Sequence, residues 1–243
     1  MGVKTHKGFT IIELVLFLGI TGLVMGVLLV GVGSSLNRER YRDAVTSFEN
    51  YIQGQYNLVN NVNNSHDPTE VCSGGKIITD GTAASSSPGT SDCTIVGRII
   101  YSSADGQSLS SAQVYATVDA STLAGNDDIQ VLKDANLIAS PHQEEFVPGW
   151  STRIVNPRPD DAVSEFSILI VRMPTSGLVH TFAMNKTNIA PAGVVGNQIP
   201  DGGLRLCVDN SMFIANSAGR VGITLAKDAV NSSGVLFASE SEC

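Results

Sequence analysis

A long apolar run over residues 9–32 constrains this chain more than any other feature. As a helix it would exceed the ~30 Å of a bilayer's hydrocarbon layer. Lys4, His6 and Lys7 precede it without an acidic neighbour, which keeps the N-terminus cytoplasmic and sends residues 34–243 outward. The run is too long for a signal-peptide core and lacks an A-x-A-like ending. The sequence therefore predicts a single membrane-spanning helix.

Glu13 is an acidic residue inside this apolar run. A carboxylate in the membrane costs about 2.5 to 3.5 kcal/mol on insertion scales. A plain anchor explains the length of the run but not this glutamate. The position therefore leaves two interpretations, an ordinary anchor with a snorkelling or protonated glutamate, or a segment whose role needs the carboxylate.

Residues 34–64 predict an amphipathic helix that continues the membrane span. Apolar residues recur there at spacings of three and four: Tyr41, Ala44, Val45, Phe48, Tyr51, Ile52, Val59 and Val62. No proline interrupts residues 9–62, so both parts can form one rod about 80 Å long. Arg38, Arg40 and Arg42 near its start are interleaved with acids, which favours a solvated, ion-paired face over a lipid-headgroup anchor.

Residues 65–243 predict a β-rich head. Eight short β-branched or aromatic runs lie there: CTIVGRIIY, AQVYATV, FSILIVRM, LVHTFAM, LRLCV, MFIA, VGITLA and GVLFA. The turn-forming stretches at 174–177 and 216–219 predict hairpins, and the Gly/Ser-rich stretch at 74–93 predicts an exposed loop. One long helix packed against an antiparallel sheet is an α+β fold.

Charge and cysteines indicate the environment of the head. Residues 34–243 hold 13 Lys and Arg against 22 Asp and Glu, a net charge of −9, which argues against nucleic acid as a partner. Four cysteines without C-x-x-C spacing favour disulfides over zinc, and hence a location outside the cytoplasm. A Cys72–Cys93 bridge would close the polar loop, but three connectivities are open for Cys72, Cys93, Cys207 and Cys243.

Enzyme signatures are missing from the sequence. It has no GxSxG, P-loop or H-E-x-x-H motif. His142, Glu144 and Glu145 form a weak candidate metal cluster, which we interpret as a solvated loop. We expect no catalysis, no metal and no cofactor.

The stretch KGFTIIEL at residues 7–14 resembles the class III leader and N-terminus of type IV prepilins and type II secretion pseudopilins. The resemblance implies that a prepilin peptidase cuts after Gly8 and methylates the new amine of Phe9. It implies that Glu13 serves assembly by neutralising the Phe9 ammonium of a neighbouring subunit. By the same resemblance, a Cys207–Cys243 bridge would pin the C-terminal tail.

This resemblance implies four segments: a leader at 1–8, a transmembrane half-helix at 9–33, an amphipathic half at 34–64 and a head at 65–243. We expect a major or minor pilin of an extracellular type IV pilus, which serves adhesion, motility or DNA uptake. Before assembly it would sit in the inner membrane, and its partners would be other pilin subunits, the peptidase and an inner-membrane assembly platform. The alternatives are a minor pseudopilin in a periplasmic pseudopilus, which residues 212–226 resemble, and a DNA-binding minor pilin of a competence system.

Overall fold

One uninterrupted helix, α1 (Ile11–Asn60), runs through 50 residues of the computed structural model. The structure describes residues 8, 10–61, 69–73, 75–79, 93–117, 127–160, 162–173, 175–211 and 219–243. The predicted continuous helix is confirmed, with its two halves in one rod. Phe9 and residues 62–64 lie outside the described residues.

The two halves of α1 meet different surroundings. Its described large apolar side chains between Ile11 and Leu36 are exposed, and the helix is long and apolar enough to cross a membrane. Its upper half buries a stripe spaced at three and four residues: Tyr41, Ala44, Val45, Phe48, Ile52, Tyr56 and Val59. The buried stripe fixes the head to this half of the helix.

Within the described residues, the head contains three antiparallel sheets. The strands are β1 (Val71–Ser73), β2 (Lys76–Ile78), β3 (Thr94–Ser102), β4 (Leu109–Thr117), β5 (Asn136–Phe146), β6 (Ile154–Val155), β7 (Ser167–Arg172), β8 (Val179–Met184), β9 (Leu204–Val208), β10 (Val221–Leu225) and β11 (Val235–Ala238). The largest sheet has the order β5-β4-β3-β7-β8, the second has the order β11-β10-β9-β6, and β1 pairs with β2.

Strand alternation divides the core into two layers. Ile100, Ile168 and Ile170 join the cluster around α1 and the four-stranded sheet. Their strand neighbours Ile99 and Leu169 join a second cluster, because successive side chains point to opposite faces. Two short helices, α2 (Asp128–Asp134) and α3 (Pro191–Val194), contribute to that second layer. The five-stranded sheet therefore has apolar packing on both faces.

Two tyrosine hydroxyls fasten α1 to the sheets. Where α1 enters the head, the Tyr41 hydroxyl donates to the Val208 carbonyl at 2.9 Å and accepts from the Val221 amide at 2.9 Å. Near its other end, the Tyr56 hydroxyl pairs with the Thr181 hydroxyl at 3.0 Å. Burial raises the pKa of Tyr56, so this hydroxyl stays protonated at neutral pH.

Two local predictions are wrong. Residues 141–146 are not a loop but the end of β5, where pairing with β4 outweighs the proline and charges. The predicted loop at 74–93 is partly a hairpin, because Lys76–Ile78 pairs with Val71–Ser73. The two short helices α2 and α3 were not predicted. The predicted strand at 212–215 lies outside the described residues.

We predict that Phe48→Ala lowers the free energy of unfolding of the full chain by about 3 to 5 kcal/mol. Phe48 is fully buried, so its removal leaves a cavity between α1 and the sheets. Phe237→Ala is the matched control, because Phe237 is 56% exposed and should cost about 0.5 kcal/mol or less. Denaturant unfolding in detergent measures both, and equal losses would contradict this packing.

Candidate functional site at the start of the first helix

Helix α1 begins with a reciprocal capping arrangement between Thr10 and Glu13. Thr10 has extended backbone angles, φ −77° and ψ 150°, and its hydroxyl accepts from the Glu13 amide at 3.4 Å. The Glu13 carboxylate reaches back and accepts from the Thr10 amide at 3.2 Å. Two amides that would lack a helical partner are thus satisfied by side chains.

The carboxylate of Glu13 is only partly used by its own chain. Its Oε2 accepts from both the amide and the hydroxyl of Thr10, each at 3.2 Å. Among the described residues no donor reaches Oε1. The charge also lies in the first turn of α1, where the positive end of the helix dipole favours an anion. Glu13 can therefore cap its own helix and still accept a bond from another molecule.

The surroundings of Glu13 are apolar and open. Ile11 is 85% and Ile12 is 81% exposed, and residues 11–37 contain no charge other than Glu13. Gly8 is exposed, and a side chain added there would meet nothing within 4 Å. The structure therefore places Gly8 and Glu13 at one accessible end of the helix, while Phe9 lies outside the described residues.

The four cysteines lie in two pairs in the head, far along the chain from this site. Cys72 and Cys93 have Cα atoms 5.8 Å apart, and Cys207 and Cys243 have Cα atoms 5.6 Å apart. Both separations fit disulfide geometry. The first pair joins β1 to the start of β3, and the second joins the chain end to β9.

The candidate metal residues are not gathered around a site. Glu144 forms an ion pair with the buried Arg98, which also donates to the Ser111 hydroxyl at 3.1 Å. On the edge strand β5, the Ser140 hydroxyl accepts from the His142 amide at 2.9 Å and donates to the His142 carbonyl at 3.1 Å. Over the described ranges, no group of three His, Cys, Asp or Glu side chains could hold a metal ion.

Sequence reasoning missed Thr10 as part of the site. The signal was available, because Thr10-x-x-Glu13 before an apolar run is the pattern of a capping box. The family resemblance implies a partner for Glu13 in another subunit and does not imply a role within the chain. The structure thus gives Glu13 an additional, local partner.

Comparison with protein-family models, curated proteins and solved structures finds no match to this chain.

We predict that Thr10→Ala speeds hydrogen exchange of the first-turn amides of α1 about fivefold, since loss of a capping side chain costs about 1 kcal/mol. Mass spectrometry of the full chain in detergent measures the exchange. The control is Thr21→Ala, which removes a hydroxyl bonded to the Phe17 carbonyl inside the same helix. Loosening of the first turn by Thr21→Ala to the same extent would contradict the capping role.

Proposed function

We propose that this chain is a structural subunit, a major or minor pilin, of an extracellular type IV pilus filament. One observation carries the proposal. A single helix has an exposed apolar half whose only charge is Glu13, and its other half is the central element of a folded head. The KGFTIIEL stretch at the start of that half supports the same interpretation.

The apolar half of α1 needs an apolar cover in every state. A membrane covers it before assembly, and the equivalent halves of neighbouring subunits cover it in a filament. Gly22 and Gly26 support close helix packing, because a side chain at either position would meet nothing in this chain and small residues let backbones approach. The resulting filament would have a bundle of apolar half-helices inside and the heads outside.

The partner proposed for Glu13 is the ammonium of Phe9 in an adjacent subunit. Peptidase cleavage after Gly8 would create that ammonium in an apolar setting, where an unpaired charge is costly. The Oε1 atom of Glu13 is the acceptor that supports this pairing, since Oε2 already serves Thr10. Each charge would make the other tolerable.

We predict that the mature chain begins at Phe9 and carries a methylated amine. Gly8→Leu should accumulate as uncleaved precursor, because it changes the proposed cleavage site. Its head should stay intact, because a side chain added at this position meets no atom within 4 Å. Mass spectrometry of the N-terminal peptide measures both. A chain that keeps residues 4–8, or one that begins after residue 33, would overturn the prepilin interpretation.

We predict that Glu13→Gln and Glu13→Val both fail to be incorporated into filaments, although only the valine variant loses the helix cap. Glutamine can replace glutamate in a capping box, so Glu13→Gln keeps the helix start and removes only the charge. Breaking one side of a buried ion pair costs about 3 to 5 kcal/mol, which is enough to prevent incorporation. The measurement compares processed subunit in membranes with subunit in sheared filaments.

The pair of variants separates the two roles of Glu13. Normal incorporation of Glu13→Gln with loss of Glu13→Val would assign the residue to capping alone. Normal incorporation of both would leave no assembly role. Peptidase cleavage should persist in each variant, because the proposed cut lies upstream at Gly8.

The runner-up is a minor pseudopilin of type II secretion, which would share the same helix and the same cleavage. Electron microscopy of sheared surface filaments, with mass spectrometry of their subunits, distinguishes a pilus from a periplasmic pseudopilus. A DNA-binding minor pilin is less favoured, because residues 34–243 carry a net charge of −9.

A further inference from the structure

A short turn at Gly149–Ser151 lies against α1 near the place where the helix leaves the head. Gly149 approaches the backbone of Ala44, since a side chain added there would lie 4.0 Å from its Cα atom. The indole of Trp150 donates to the Asp43 carboxylate at 3.1 Å. The guanidinium carbon of Arg40 lies 4.8 Å from the centre of the same ring. Trp150 is therefore fixed to the helix while half of it stays exposed.

The backbone of this turn is strained. Trp150 and Ser151 have φ angles of 62° and 56°, and the left-handed region costs a non-glycine residue roughly 1 to 2 kcal/mol. Trp150 remains 50% exposed and its neighbour Val147 remains 61% exposed. The strained backbone thus holds an aromatic ring at the surface beside the helix and does not place it in the core.

Three arginines and two acids lie on α1 at the same level, and the ion-paired face expected from the sequence forms only at Arg42 among the described residues. Glu39 lies 3.8 Å from Arg42, and Asp43 is engaged by Trp150. Among the described residues, Arg38 and Arg40 lie within ion-pair distance of no carboxylate. We call Arg38, Arg40, Arg42 and Trp150 the basic collar. Its helix segment, residues 38–43, has three arginines and two acids and so a net charge of +1, against −9 over residues 34–243.

The height of the collar matches the edge of a membrane. Residues 11–32 make about 33 Å of helix, close to the ~30 Å hydrocarbon layer, and each headgroup layer adds about 5 to 7 Å. Arg38 and Arg40 lie about 9 and 12 Å along the axis beyond Val32. Their flexible side chains therefore come within one Debye length, about 8 to 10 Å, of the headgroups.

We propose that the basic collar docks on anionic phospholipid headgroups while the apolar half of α1 spans the membrane. The proposal rests on the membrane stage of the proposed function. Arg38 and Arg40 supply the charge complementarity, and Trp150 supplies an amphipathic ring of the kind enriched at membrane interfaces. The collar continues directly from the membrane-spanning segment, so a lipid surface is the partner that this position favours.

The test uses the fluorescence of Trp150, the single tryptophan of the chain. The full chain is reconstituted into phosphatidylcholine vesicles with or without phosphatidylglycerol, each containing the same fraction of headgroup-spin-labelled phosphatidylcholine as quencher. We expect about twofold stronger quenching in the anionic vesicles, lost at high salt because salt screens surface charge. Equal quenching in both vesicle types would overturn the docking.

Two matched variants sharpen the result. Arg38→Gln should weaken docking about fivefold, the effect expected of one basic residue near an anionic surface, and it leaves the Arg40–Trp150 contact in place. Arg172→Gln is the control, because Arg172 donates to the Asn60 carbonyl, about 30 Å along α1 from the collar. Equal losses in the two variants would overturn the assignment to the collar.

Flotation of the same vesicles separates this inference from the proposed function. A chain that floats with both lipids but shows no anionic effect overturns the docking alone. A chain that does not float overturns the membrane stage together with the docking. N-terminal cleavage at Gly8 is measured independently of both.

Discussion

The structure depends on one helix whose two halves need different surroundings: the folded head for the upper half and an apolar phase for the lower half. The upper half of α1 buries an apolar stripe against both sheets, and Phe48 and Ile52 on it are fully buried. The lower half exposes apolar side chains around the whole helix and is long enough to cross a membrane. Because no break separates the halves, the position of the head relative to the lower half follows from the helix itself. The two tyrosine hydroxyls at Tyr41 and Tyr56 then fasten the helix to the sheets.

Glu13 has one partner within its own chain and, in our proposal, a second partner in a neighbouring subunit. Within the chain it completes the cap with Thr10, which lowers the cost of starting the helix at that residue. A carboxylate at the positive end of the helix dipole is also less costly than one at mid-helix. These local interactions reduce the cost of a charge in an apolar segment. They do not explain a preference for glutamate over glutamine, since both can close the box. In our proposal the charge itself matters only when an ammonium arrives.

The sequence predicted the parts of the fold whose signal is local. β3, β7 and β10 have β-branched interiors that form one buried strand each, and α1 has an uninterrupted three-and-four spacing. β5 was missed because it is an edge strand, where Pro141, Glu144 and Glu145 face solvent and protect a free edge. Helix α2 is 7 residues long, which is too short for a helical spacing of apolar residues to stand out in the sequence. The contact of Trp150 with Asp43 joins residues 107 apart, and no local pattern encodes such a pair.

The collar and the cap place weak polar interactions at the two ends of a strongly apolar segment. Each basic residue near an anionic surface contributes only about 1 kcal/mol, and salt reduces it further. In this proposal, such a contact orients the head on the membrane and is weak enough not to hold the helix there. The apolar half of α1 can then leave the membrane for the equally apolar interior of the filament. Strained backbone at Trp150 and Ser151 fits this balance, because it fixes the ring in advance and reduces the ordering cost of docking. In this proposal an orienting contact is useful because it is weak, whereas the Glu13 pair must be strong because it forms where water is excluded.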